Sequence, residues 1–418
     1  MNDLEHLQTA VPGARTRELT PALRQYESRN VTYVDDDIPV FWESASGATV
    51  TDVDGNRYID LTAAFGVANT GHSNPRVAAA LCDQANRLMH AMGDVHPTRV
   101  KTDLLEKLAA IAPGDLSKTF LASTGSEAVE AALKTAIVAT GKHSFAAFRG
   151  AYHGLSLGTL AIAGIAKFRE PFAGCVPEST LFLDYGEPLE AIRAALQSRP
   201  DIGAMIVEPL QGRGGCVLPP KGYLAGLRAL CDELGLLLIF DEIYTGFGRT
   251  GFLFACMHDE VVPDILCLGK AMANGFPISA AIAKPAIMDA WPLSRGEALH
   301  TSTYLGNPMG CAAALENIRQ IEKLRLPERA RKLGIALGAR LQRLRENGKA
   351  ETISGRGLMW GVRLRDGGAA ERAVKDALQR GVVLLQAGPQ GDVLSITPPL
   401  VISEEQLFHA IDIVEEVL

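Results

Sequence analysis

The sequence has no clustered run of lysine and arginine, no cysteine pair at C-x-x-C spacing, and no apolar run near the ~18 residues that a membrane helix requires. Each absence removes a class of function. With a net charge of -7 and no basic cluster, a phosphate-neutralising surface has no source, so no nucleic-acid partner is expected. The seven cysteines (Cys82, Cys175, Cys216, Cys231, Cys256, Cys267, Cys311) form an odd, scattered set. They suggest neither a zinc cage nor a disulfide framework, and most are expected to be buried small hydrophobes. His72, His96 and His153 lack ligand spacing such as H-E-x-x-H, so no metal is expected. The opening "MNDLEHLQTAVPGARTREL" has no basic start followed by an apolar core. No membrane partner and a cytoplasmic location are therefore expected.

What is present is an ordinary globular composition, 47% hydrophobic and 21% charged, over 418 residues, enough for two or three units that each bury a core. "DVDGNRYIDL" (52–61) alternates around a D-G turn signal, as a short hairpin would. From about 75 to 112 apolar residues fall at helical spacing, and Pro113-Gly114 ends the second run. Short apolar runs ("KTFLAS", "SFAAF", "AMIVEP", "LGLLLIF", "DILCLG") then alternate with helical patterns, the grammar of a mostly parallel, doubly wound α/β sheet. After about 310, long helical patterns, "LMWGVRL", "GVVLLQAG" and the final "SEEQLFHAIDIVEEVL" read as a second, smaller α/β unit. The expected division is an amino-terminal segment, 1–60, packing with the small domain, a large domain, 61–315, and a small domain, 316–418.

In open α/β sheets ligands sit beyond the carboxyl ends of the strands, so polar residues there are the ones to weigh. In "STGSEAVEAALKTA" (123–136) a strand gives way to a glycine turn and a helix whose free N–H groups suit a phosphate. A plain capping box built on Ser123 or Ser126 explains the same residues as well. Tyr152, in "RGAYHGLSLGTL", could stack on a heteroaromatic ring, although such a tyrosine is more often ordinary packing. Glu208 ends "AMIVE", Asp241 ends "LLLIFD", and Lys270 follows "DILCLG". A lone lysine is usually solvated, but one pinned behind a buried strand loses hydration, which lowers its pKa and favours the nucleophilic amine. A phosphate cradle, a stacking aromatic, a carboxylate and a desolvated lysine together meet the requirements of pyridoxal phosphate. Its aldehyde takes a lysine, its phosphate takes backbone donors, and its ring nitrogen takes an anion. Asp241 is the expected partner of that nitrogen.

In that order, "STGSEAVEAALKTA", "AYHG", "EPLQG", "FDEIYTGFGRTG", "LGKAMANGFPISA" and "HTSTYLGNPMGCAAA" resemble the signature blocks of class III aminotransferases, over nearly the whole chain. The resemblance implies fold-type I, a homodimer with sites at the subunit interface, and transfer of an amino group from an ω-amino acid or amine to an oxoacid. It implies that Lys270 carries pyridoxal 5'-phosphate as a Schiff base and shuttles the proton, and that Asp241 faces the ring nitrogen. Gly125 and Ser126 would hold the phosphate. Tyr152 would stack on the ring beside His153, with Glu208, Ile243 and Tyr244 also at the cofactor. Thr303 would reach the phosphate of the neighbouring subunit.

Three residues depart from the family pattern. Ser395 occupies the place of an arginine that pairs with the counterpart of Glu208 in γ-aminobutyrate and ornithine transaminases, which puts the usual binding of 2-oxoglutarate in doubt. Arg213, in "QGRGG", replaces a small or acidic residue; it could neutralise Glu208 or supply the missing carboxylate contact. Tyr244 stands where many members have glutamine, near the cofactor's phenolic oxygen, and can still donate a hydrogen bond. Other readings of the same residues are an aminomutase, decarboxylase or lyase on this fold, and a noncatalytic α/β binding protein.

Overall fold

The alternation of apolar runs and amphipathic segments builds three sheets. The computed structural model describes residues 4–32 and 38–418, so residues 1–3 and 33–37 of the expected segment 1–60 lie outside the described residues. In chain order the strands are β1 (Trp42–Ser46), β2 (Thr49–Asp52), β3 (Arg57–Asp60), β4 (Lys118–Ala122), β5 (Ser144–Phe148), β6 (Thr180–Leu183), β7 (Ile202–Val207), β8 (Leu237–Asp241), β9 (Ile265–Leu268), β10 (Ser279–Ala283), β11 (Thr352–Arg356), β12 (Met359–Arg363), β13 (Val382–Val383), β14 (Leu385–Ala387) and β15 (Val393–Ile396). Seven of them form the central sheet in the order β4-β10-β9-β8-β7-β5-β6. Strands β5 to β9 pair in parallel. β10 is antiparallel to both of its neighbours, so β4 runs in the same direction as β9. Six strands therefore end on one edge of the sheet, and the site is built there.

Every residue of β5, β7 and β9 is buried, as a parallel sheet covered on both faces requires. The helix Gly125–Thr140 lies close on β9 and β10 because the residues it turns inward, Ala128, Ala131, Ala132 and Ala136, are small. The architecture is the expected doubly wound α/β one. The alanine-rich β10 ("SAAIA") carries no periodic signal in the sequence, and the structure inserts it between β4 and β9.

The expected hairpin is β2 and β3, antiparallel with Thr49 opposite Ile59. Asp52 Oδ1 closes its turn by accepting from the amides of Asp54 (2.9 Å) and Asn56 (2.8 Å). "GVVLLQAG" reads as one strand but serves two sheets. Val382–Val383 pairs in parallel with β3, while Leu385–Ala387 pairs with β15 in the antiparallel sheet β11-β12-β15-β14. The polar amino-terminal stretch contains a helix, Ala14–Tyr26, whose internal Pro21 obscures it in the sequence. Its neighbour Glu5 pairs with His409 of the last helix (2.8 Å).

Arg249, in the "FGRTG" turn after β8, is fully buried. Its guanidinium donates to the carbonyls of Leu358 (2.9 Å) and Pro398 (2.5 Å) and to Asn69, bolting that turn to the carboxyl-terminal sheet. Five cysteines are buried; Cys82 and Cys175 are exposed, and all seven are unpaired.

Candidate active site at the carboxyl edge of the central sheet

Asp241 is the last residue of β8 and lies opposite Cys267 of β9, so Lys270, three residues on, leaves the neighbouring strand on the same edge. Lys270 has φ 44, in the left-handed region that costs a residue with a Cβ about 1 kcal/mol or more. Its Nζ sits 4.2 Å from the centroid of the Tyr244 ring. Burial pulls the amine below the ordinary lysine pKa, and the charges of Asp241 and Glu208 work against that pull. A larger share of free amine is the consequence, which is what a nucleophilic lysine needs.

Asp241 and its neighbour Glu242, just past the end of β8, do different work. Glu242 is fully buried and accepts from the amide of Cys256 (2.8 Å) and the hydroxyl of Thr245 (2.9 Å), so it is consumed in holding the following loop. Asp241, also buried, accepts from the Ile243 amide (3.1 Å) and from His153 Nδ1 (2.8 Å). A carboxylate can only accept, so the proton on Nδ1 lies toward Asp241. His153 Nε2 is buried without a partner.

At the start of the helix Gly125–Thr140 the capping box is Thr124 with Glu127, not Ser123 or Ser126. Thr124 Oγ1 accepts from the Glu127 amide (3.3 Å), and Glu127 accepts from the amides of Ser123 (2.8 Å) and Thr124 (3.0 Å). Among the described residues nothing accepts from the amides of Gly125 and Ser126, which face outward as an anion site would have them. A Cβ on Gly125 would stand 3.0 Å from Ile243, so that side of the turn is walled. Ser126 Oγ is itself within 2.9 Å of both Ser156 Oγ and Thr159 Oγ1. Sequence reasoning missed that hydroxyl cluster: Ser156 and Thr159 lie in the same "RGAYHGLSLGTL" stretch as Tyr152, but no local pattern links them to Ser126, some 30 residues earlier.

Tyr152 is half-buried, with its ring edge-on to Phe168 at 5.8 Å. Its amide donates to Glu208 Oε1 (2.9 Å), and the Gly212 amide donates to Oε2 (3.0 Å). Burial pushes the Glu208 carboxyl up to about 7, against the lowering effect of nearby His153 and those two amides. Tyr244 presents its ring face, not its hydroxyl, to Lys270; the hydroxyl lies 3.1 Å from Thr397 Oγ1. The ring fits because Gly66 and Gly212 lack side chains: a Cβ on either would come within 2.4 Å of it. Ser395 is buried on β15 with its Oγ 3.9 Å from Cys216 Sγ. Thr303 is exposed. The donors, the anion, the aromatic faces and the desolvated amine suit pyridoxal phosphate.

The family described as aminotransferase class-III matches residues 31–418. The chain belongs to the class III aminotransferases. It is 37% identical to a putrescine aminotransferase of Pectobacterium atrosepticum, over the whole chain and 90% of that protein. It is 40% identical to an acetylornithine aminotransferase of Methanothermobacter thermautotrophicus, over 91% of this chain and 94% of the relative. Among solved structures, the ornithine aminotransferase of Toxoplasma gondii superposes with a TM-score of 0.88 at 33% identity, covering 96% of this chain and 94% of that one. An amine transaminase from an uncultivated Pseudomonas species, with pyridoxal phosphate bound, superposes with a TM-score of 0.87 at 28% identity, covering 94% and 98%. This class III aminotransferase is thus a fold-type I enzyme that uses pyridoxal phosphate for transamination, with an amine and an oxoacid as its substrates. Among the described residues no helix is long and apolar enough to cross a membrane, and no group of three or more His, Cys, Asp and Glu is arranged to hold a metal.

Proposed function

We propose that this aminotransferase moves an amino group from an ω-amino acid or a primary amine to an oxoacid, with Lys270 and Asp241 as the catalytic pair. The observation that carries this reading is the placement of a desolvated lysine and a buried, histidine-backed aspartate on adjacent strand ends. Putrescine and acetylornithine, named in the relatives, each offer a terminal amine. When bound, pyridoxal phosphate supplies an aldehyde for the Lys270 amine and a ring that takes up the electron pair left when the substrate loses a proton. Lys270 Nζ would be the base that takes up that proton and the acid that gives it back. Asp241, its carboxylate held in place by the His153 Nδ1–H, would be the anion that faces the ring nitrogen. The amides of Gly125 and Ser126 would hold the phosphate, and Tyr152 and Ile243 would contact the ring.

The assembly in this reading is a homodimer in which Thr303 completes the partner's phosphate site. Met89 (62% exposed), Val95 (61%) and Tyr304 (61%) form an apolar surface beside Thr303, tied together by the Thr301–Asp94 (2.7 Å) and Asn307–Met89 (3.2 Å) hydrogen bonds. Such a patch marks a protein interface. Seven unpaired cysteines suit a cytoplasmic location. The chain divides at about 60 and 315, with the amino-terminal segment packing on the small domain through β3 with β13 and Glu5 with His409.

Incubation of the holoenzyme with β-alanine, γ-aminobutyrate or ornithine, each against pyruvate and 2-oxoglutarate, tests the reaction. Oxoacid and amine should disappear in equal amounts. Ammonia or carbon dioxide released without an acceptor would contradict the reading, and a monomer in analytical ultracentrifugation would contradict the assembly.

A further inference from the structure

Arg213 and Glu208 act on Lys270 and neither forms an ion pair among the described residues, but they differ in how much bonding capacity they have left. Both oxygens of Glu208 are taken by backbone amides, at 2.9 and 3.0 Å, and the residue is only 5% exposed. With its carboxyl pushed up to about 7, it is half-protonated near neutrality and has a weak claim on a second ammonium group. Arg213 is the reverse. It is half-buried, it forms no ion pair among the described residues, and its guanidinium makes only a 3.5 Å approach of Nη1 to the Gln386 carbonyl among them. Four of its five N–H donors meet no acceptor among the described residues. Arg213 and Glu208 form no ion pair among the described residues, so Arg213 does not neutralise Glu208.

The backbone fixes where that guanidinium starts. Arg213 is the single side chain in the turn Gly212–Gly215. Gly212 is pressed onto the Tyr244 ring, and a Cβ on Gly214 would stand 2.7 Å from the Gly150 carbonyl, so neither neighbour can move or be replaced cheaply. The Arg213 carbonyl accepts from the Gly388 amide at 2.9 Å, which closes the other side. The ring that Gly212 abuts is the same ring whose face lies 4.2 Å from Lys270 Nζ. The charge of Arg213 is felt at both Lys270 and the Tyr152 phenol.

We propose that Arg213 is the specificity-determining residue of this site: its guanidinium takes the carboxylate of the substrate and selects amino acids and oxoacids over amines and diamines. A half-buried guanidinium without an anion is incompletely solvated, and a carboxylate can meet its planar fork with two parallel hydrogen bonds. The second ammonium group of a diamine such as putrescine would meet a like charge there. Ser395, buried against Cys216, offers only a hydroxyl. This inference rests on the transamination reading above and names its substrate class.

The test uses two matched donor pairs that differ in the carboxylate, β-alanine with propylamine and γ-aminobutyrate with butylamine, against one acceptor. In the holoenzyme, Arg213→Ala should lower kcat/KM for the amino acid roughly ten- to hundredfold more than for the matching amine, mainly through KM, the scale of one charge-assisted contact. Arg213→Lys should recover part of the ratio, because a point charge replaces the fork. Propionate binding by calorimetry is the second readout, independent of turnover: wild-type protein should bind it and Arg213→Ala should bind at least about tenfold more weakly. An unchanged amino acid to amine ratio in Arg213→Ala, whether both rates fall together or neither falls, overturns the proposal. If the wild-type enzyme transaminates neither member of a pair, the transamination reading fails instead, and equal propionate affinity in wild type and variant would still sink Arg213.

Discussion

At the amino end of β9, Asp264 accepts from Arg228 Nη1 (2.7 Å), Lys284 Nζ (2.8 Å) and the Leu238 amide (2.8 Å). At the carboxyl end of the same strand, Lys270 forms no ion pair among the described residues, Arg213 has no anion, and His153 Nε2 has no partner. Burial works against the charge of Asp264, but Lys284, the Leu238 amide and Arg228 outweigh it and hold the carboxyl below its ordinary range. Burial instead pushes Glu208 up and Lys270 down. Charge at one end is spent on holding strands together. At the other end it is kept available, at a cost in stability, for a ligand that will complete it.

Asp241→Asn breaks the comparison most severely. Removing the anion while keeping the shape should lower kcat roughly a hundred- to thousandfold, the scale of one preorganised electrostatic group, with little change in the urea midpoint. Asp264→Asn should do the opposite. It leaves two cations without their carboxylate and should cost about 3 kcal/mol in urea unfolding, with kcat per folded molecule retained. An aspartate held below its ordinary pKa stabilises the fold above about pH 4 and loses that contribution as pH falls further, so the gap between wild type and Asp264→Asn should narrow only in acid.

Glu208 has the contrary sign. Its pKa rises from 4.5 unfolded to about 7 folded, so between those values the folded state holds a proton that the unfolded state has released. Stability should fall as pH rises from about 5 to 7, by an amount on the order of 3 kcal/mol at most, and Glu208→Gln should flatten that slope. A slope unaltered by the substitution would show that another group titrates. The smallest effect is expected for Lys284→Ala, below about 1 kcal/mol, since Arg228 still faces Asp264 and the Lys284 side chain is partly exposed.

Strand ends were legible in the sequence because an apolar run that stops at Asp241, Glu208 or Gly269-Lys270 leaves the following side chain only one edge to occupy. Parallel order was legible from the strand and helix alternation. β10 was not, because "SAAIA" alternates small residues with other small ones and gives no period to read. The split of "GVVLLQAG" between two sheets was hidden because both halves are apolar and the break at Leu384 has no glycine or proline to mark it. Within the site, the pocket for the Tyr244 ring depends on Gly66, almost 180 residues away, and no local pattern links the two. Separating the work of Asp241 from that of Glu242 needed coordinates: adjacent acids on one strand end look alike until the Cys256 amide and the Thr245 hydroxyl are found on one of them.

The central claim is that Lys270, and not one of the paired lysines, presents its amine to the cofactor. Borohydride reduction of the pyridoxal-phosphate-loaded enzyme, followed by peptide mapping, reads this directly. The account predicts a single pyridoxyl group on Lys270, absent in Lys270→Ala and retained in Lys284→Ala. A pyridoxyl group on any other lysine of the wild-type enzyme, with Lys270 unmodified, would contradict it.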